Sequence, residues 1–230
     1  MRVNADFSKA ALVHAGSLEW VASPMAGVHR RMLDRIGDEV ARATSIVRYA
    51  PGSHFSPHTH GGGEEFLVLE GVFEDEHGAY PAGSYVRNPP TSRHQPGSSE
   101  GCVIFVKLWQ FHPDDRVDVR VDAMSVPPVP SDTRPGCDVV PLFSDLRETV
   151  RIEGWRPGAS CAIDASGGAE LLVLEGELAV HGERLQTHSW LRIPHAGTLE
   201  GKAGPGGARL YVKTGHLAPD VLASAAMPVR

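Results

Sequence analysis

Two stretches of this chain repeat one another, and the repeat limits the fold more than any other feature. "GGGEEFLVLEG" ends at Gly71, and "SGGAELLVLEG" ends at Gly176. Around them, "TSIVRYAPGS" pairs with "ETVRIEGWRPGA", "PAGSYVRNPP" with "QTHSWLRIPH", and "CVIFVKLWQF" with "ARLYVKTGHL", all in the same order. Matches in one order mean an internal duplication. Each copy spans roughly a hundred residues, an ordinary domain size.

The repeated segments are short, apolar or alternating runs separated by Gly and Pro, and none has the 3.6-residue period of a helix. This predicts an all-β protein built as sandwiches or barrels. Residues 1–112 form the expected first domain, with "LEWVASPMAGVHRRML" adding strands to it. Residues 113–138 are rich in Pro and Asp and read as a linker, in which "RVDVRVDA" alternates well enough to pair at a sheet edge. Residues 139–230 form the second domain.

The formal net charge is −6 and no basic tract stands out, so a nucleic-acid partner is not expected. No apolar run approaches the roughly 18 residues of a membrane span, and the N-terminus lacks a signal-peptide pattern. A cytoplasmic protein is expected. Cys102, Cys137 and Cys161 show no paired spacing and read as two buried thiols plus one in the linker, Cys137, whose setting also suits a redox sensor.

The chemistry concentrates in "PGSHFSPHTHGGGEEFLVLEG". His58 and His60 are two apart on an extended segment, so both imidazoles face one way. Three glycines permit a tight turn before Glu64, and Phe66 and Val68 follow Glu64 on its face of the strand. His94 is a fourth candidate. Three imidazoles and a carboxylate suit iron, manganese, nickel, copper or zinc. His54 shares parity with His58 and is placed to orient a ligand or cap the barrel mouth. His77 reads as a turn residue, and Tyr85, Arg87 and Arg93 lie on the approach to His94.

These residues resemble the two motifs of the cupin superfamily, G-x5-H-x-H-x3-E-x6-G and G-x5-P-x-G-x2-H-x3-N. Gly52, His58, His60, Glu64 and Gly71 fill the first, while Gly83, Pro89 and His94 match the second. Thr91 replaces its glycine and Ser98 its asparagine. The resemblance implies two tandem jelly-roll domains and a metal held by His58, His60, Glu64 and His94. It also chooses Glu64 over its neighbour Glu65, which is expected to face out or to bond backbone.

From about Leu18 to Phe111, including the "DEHG" turn, the sequence is similar to the cupin domain of ChrR-type anti-sigma factors. That similarity implies zinc and a role in sensing oxidative stress. It does not carry over sigma-factor binding, because the sequence before Thr44 has no cysteine and no helical pattern with ligand spacing. Two function classes follow: a metal-binding regulatory or small-molecule sensor bicupin, and a metal-dependent dioxygenase, or another cupin enzyme, on a small carbonyl or aromatic compound. A homodimer is expected, or a monomer whose two copies form an internal pseudo-dimer.

In the second copy, Ala169 stands opposite Glu64 and Leu199 opposite His94, so no ligand is expected there. Asp164, Glu170, His188 and His195 are the polar residues left to build any different site.

Overall fold

The computed structural model describes residues 1–194 and 197–225. It is all-β apart from a 3-10 turn at Ala15–Ser17 and a short helix at Pro219–Ser224, and its strands pair antiparallel. Two compact units are present. Among the described residues, one comprises Met1–Ala5, Leu18–Met124 and Ser224–Ala225, and the other comprises Asp6–Ser17 and Ser125–Ala223.

The main sheet of the first unit runs Arg2–Val3, Val28–Gly37, Ala41–Tyr49, Cys102–Leu108, Glu64–Asp75, Ser84–Asn88, Val119–Asp122. The short strands His58–Thr59 and Arg93–His94 pair separately, with His94 opposite His58. The second unit repeats the order as Cys137–Ser144, Thr149–Trp155, Thr198–Thr214, Ala169–Val180, Ser189–Ile193, Ala11–His14.

The boundaries therefore differ from the sequence expectation. The segment expected as a linker contributes Val119–Asp122 to the first sheet, as its alternation allowed, and Val129–Pro130 pairs with the strand that Cys137 opens. Ala11–His14, expected in the first domain, pairs with Ser189–Ile193 in the second unit. In both units this strand occupies the same place, opposite Ser84–Asn88 or its counterpart. The two units fill that place from opposite ends of the repeat. Cys137 is buried rather than in a linker, and all three cysteines are free. Burial, with the Glu153 carboxylate beside it, pushes the Cys137 thiol up to about 12. A thiol so rarely ionised does not support the redox-sensor reading.

Strand parity explains the core. Glu64, Phe66 and Val68 share one face of their strand, and Phe66 and Val68 pack with Phe73, Val86, Cys102, Ile104 and Val106. Glu65 points to the other face. It is buried rather than exposed, at 1 % exposure, and accepts a 2.8 Å hydrogen bond from Tyr85 Oη. Arg87 and Lys107 stand opposite Glu65 in the flanking strands. The second unit repeats this layer, with Arg192 and Lys213 opposite Glu170, which accepts from Trp190 Nε1 at 2.7 Å. A buried charged layer present in both copies belongs to the scaffold.

Glu65→Ala should accordingly leave the metal content of the folded protein unchanged. It removes the acceptor of a buried hydroxyl, so stability should fall by about 1–3 kcal/mol. Denaturant melts beside elemental analysis check both halves, and a loss of metal equal to that of a His58→Ala variant would show that Glu65 is a ligand.

Candidate metal centre

His58, His60 and His94 converge in the first unit. Their donor nitrogens lie within 4.8 Å of one another. The ring centroids are 4.9, 4.9 and 4.7 Å apart. Glu64 joins them, its Oε2 lying 3.5 Å from both His60 Nε2 and His94 Nε2. All four sequence candidates thus meet at one point. His60, Glu64 and His94 are buried, while His58 is exposed.

The local chain explains how they meet. Gly63 takes a left-handed φ of 78° and turns the chain into the Glu64 strand. Gly61 and Gly62 serve a different purpose: a Cβ on either would overlap the indole of Trp109, which packs against this turn. Trp109 N–H donates to Gly63 O at 3.0 Å and fixes the contact. Thr91, which replaces the motif glycine, still takes the glycine conformation at φ 75°. Its N–H donates to His60 O at 2.9 Å, so the turn survives at the cost of a strained β-branched residue. Ser98, in place of asparagine, donates to Val72 O at 2.6 Å.

The electrostatics suit a cation. Burial raises the Glu64 carboxyl, but the neighbouring imidazoles and a hydrogen bond from Asn88 outweigh it and hold it below its usual range. Burial and the other two imidazoles lower His60 against the pull of Glu64. An ionised carboxylate and a neutral imidazole are the forms that ligate metals. At His94, burial lowers the pKa, and Asp75 and Glu64 raise it to a net increase.

The decisive observation is that His60 Nε2 and His94 Nε2 are buried and have no hydrogen-bond partner. Buried polar atoms are otherwise almost always satisfied. Two such nitrogens facing a shared carboxylate fit a metal ion as the missing partner.

Beside these residues lies a cavity of about 300 Å³. Val28, Tyr49, Phe55, Leu108 and Trp109 line it, with His58, His60 and Glu64 in its wall. Among the described residues, no Lys or Arg lines it.

The other polar candidates lie elsewhere. His54 is exposed and pairs opposite Gly97, and His77 sits in the turn after Asp75. Arg87 pairs with Asp115 at 2.7 Å, Tyr85 with Glu65, and Arg93 is exposed. In the second unit Asp164 is exposed and binds Ser166 N, whereas Glu170 is buried with Trp190 and with His216 Nε2 at 3.1 Å. His188 lies in a turn at φ 65°, and His195 is outside the described residues. His216 was not legible in the sequence, because it follows the last strand with no spacing to Glu170.

The second unit has replaced the ligand set. Ile163 pairs with Leu199 as His58 pairs with His94, and Ala169 pairs with Ile193 as Glu64 pairs with Asn88. Ile163, Ala165, Ala169 and Leu199 belong to one buried apolar core. The positions equivalent to the candidate ligands are packed with hydrocarbon.

Residues 8–112 match the family described as the ChrR cupin-like domain. The solved structures it resembles are cupins over nearly its whole length. The chain has the cupin fold, and residues 8–112 carry the family match. A cupin from Nostoc punctiforme described as a candidate dioxygenase has a TM-score of 0.73 at 16% identity, covering 97% of this chain and 88% of its own. The pirin YhhW from Escherichia coli, in complex with nickel(II), has a TM-score of 0.67 at 14% identity, covering 96% and 100%. Oxalate decarboxylase from Bacillus subtilis has a TM-score of 0.63 at 11% identity, covering 89% and 77%. At such identities these likenesses show the fold alone. No curated protein sequence matches this cupin. Among the described residues, no helix is long and apolar enough to cross a membrane.

Proposed function

We propose that this cupin is a metal-dependent enzyme that binds a small, uncharged, largely apolar compound beside the His58, His60, Glu64 and His94 ligand set, and that its chemistry is oxygen-dependent cleavage of the dioxygenase type. The observation that carries this reading is the cavity: it reaches the ligand set directly, and its walls are largely apolar, with Glu39 and Thr59 as polar residues beyond that set. A divalent ion held by His58, His60, Glu64 and His94 would supply Lewis acidity and, as ferrous iron, redox chemistry with oxygen. Val28, Phe55 and Leu108 bind the apolar body of the substrate and exclude water. The absence of Lys and Arg from the described lining disfavours a dicarboxylate, which would bring charge that only the metal could balance. Three free, buried cysteines suit a reducing cytoplasm.

The match of residues 8–112 to the ChrR cupin-like domain favours a second reading, a zinc-bound regulatory or sensor protein. Elemental analysis and an oxygen electrode separate the two. Protein purified without chelator should contain iron and consume oxygen with members of a panel of small diketones, hydroxy-ketones and aromatic compounds. Bound zinc with no oxygen uptake, even after reconstitution with ferrous iron, would overturn the enzyme reading in favour of the sensor.

A further inference from the structure

We propose that Arg120, outside both motifs and within the segment expected to be a linker, is the positioning residue of the metal centre. This inference rests on the metal reading above. Two hydrogen-bonded arms leave its guanidinium, and each ends on a ligand.

The first arm runs from Arg120 Nε to Tyr80 Oη at 3.3 Å, and from Tyr80 Oη to Asp75 Oδ1 at 3.2 Å. Asp75 Oδ2 lies 3.3 Å from His94 Nδ1, and the Asp75 side chain is closed to solvent. A carboxylate can only accept, so His94 carries its proton on Nδ1 and turns the Nε2 lone pair toward Glu64 and His60.

The second arm runs from Arg120 Nη2 to Asn88 Oδ1 at 2.8 Å, and from Asn88 Nδ2 to Glu64 Oε2 at 3.1 Å. Arginine can only donate, so it fixes which way the buried Asn88 amide faces. Asn88 must then present its NH2 to Glu64 and hold that carboxylate in place. The Arg120 strand pairs with Ser84–Asn88, and Nη1 donates to Arg87 O at 3.2 Å and Asp118 Oδ1 at 2.8 Å, which holds the fork still. One planar, forked donor thus sets a tautomer at one ligand and an orientation at another, which a lysine cannot do.

The second unit separates this role from scaffolding. Register places Val180 where Asp75 stands, Leu185 where Tyr80 stands, Ile193 where Asn88 stands and Leu12 where Arg120 stands. Every member of the network became apolar in the copy that lost its ligands. The buried Glu, Arg and Lys layer on the other face remained in both. A network that served only the barrel would have survived with that layer.

The test uses the full chain, zinc(II) competition against a chromophoric chelator, and the visible spectrum of the cobalt(II)-substituted protein. Arg120→Leu installs the residue of the second copy. It should weaken zinc binding by about 10–100-fold and shift the cobalt spectrum. Tyr80→Phe keeps the shape, cuts one arm, and should shift the spectrum the same way by less. It decides the matter if Arg120→Leu does not fold. A role confined to folding would lower the melting temperature of the metal-free protein and leave affinity and spectrum unchanged. That result would overturn the proposal. Failure of the unmodified protein to bind zinc or cobalt would instead overturn the metal reading beneath it.

Discussion

Replacing His94 by alanine should remove nearly all bound metal from a protein that still folds. His94 supplies one of three converging imidazoles, and it alone reaches both Glu64 and the Asp75 arm. Loss of a partner behind a ligand costs about 10–100-fold in affinity, and loss of the ligand itself should cost at least as much. The barrel does not depend on this side chain for its core, which is built from Phe66, Phe73, Val86 and Ile104. A second readout follows from linkage. Metal at a hundred times its dissociation constant should stabilise the unmodified protein by about 2.7 kcal/mol, and the variant should gain almost nothing. Melting curves with and without added metal measure this, and an equal metal-induced shift in both proteins would remove His94 from the ligand set.

Leu199→Ala carries the other large expected effect, in the second unit. Leu199 stands at the His94 position, is 2 % exposed and packs within the continuous apolar core. Cutting a buried leucine to alanine typically costs about 2–5 kcal/mol, a large share of the roughly 5–15 kcal/mol that holds a domain folded. The second unit should therefore melt well below its normal midpoint, while the metal content per chain stays as it was. A loss under about 1 kcal/mol would mean that this pocket is open rather than filled. A fall in metal content would mean that the second unit takes part in binding.

The sequence brought out the candidate metal centre because its logic is local. His58 and His60 share parity, the glycine turn precedes Glu64, and the motif brings His94 to the same place. The apolar counterpart in the second unit was legible too, since alignment on "VLEG" set Ala169 opposite Glu64 and alignment on Pro194 set Leu199 opposite His94. The surrounding structure was less legible because it depends on pairing between distant strands. Arg120 lies in a Pro- and Asp-rich stretch whose composition suggests a linker, and only its pairing with Ser84–Asn88 carries it back to the metal site. Ala11–His14 joins the second unit through a partner strand that begins 175 residues after His14. Glu65 is expected from sequence to face out or to bond backbone, because an adjacent pair of acids must point to opposite faces. Parity gives the face but not its burial, and here both faces of the strand are covered. The glycines before Glu64 were assigned to a turn. Two of them in fact make room for Trp109, a contact that no local pattern reveals.

The most direct measurement is metal content by elemental analysis of the full chain, purified without chelator, for the unmodified protein and for His58→Ala. One divalent ion per chain in the first and almost none in the second is the expected result. A metal-free unmodified protein, or two ions per chain, would contradict a single centre built by His58, His60, Glu64 and His94.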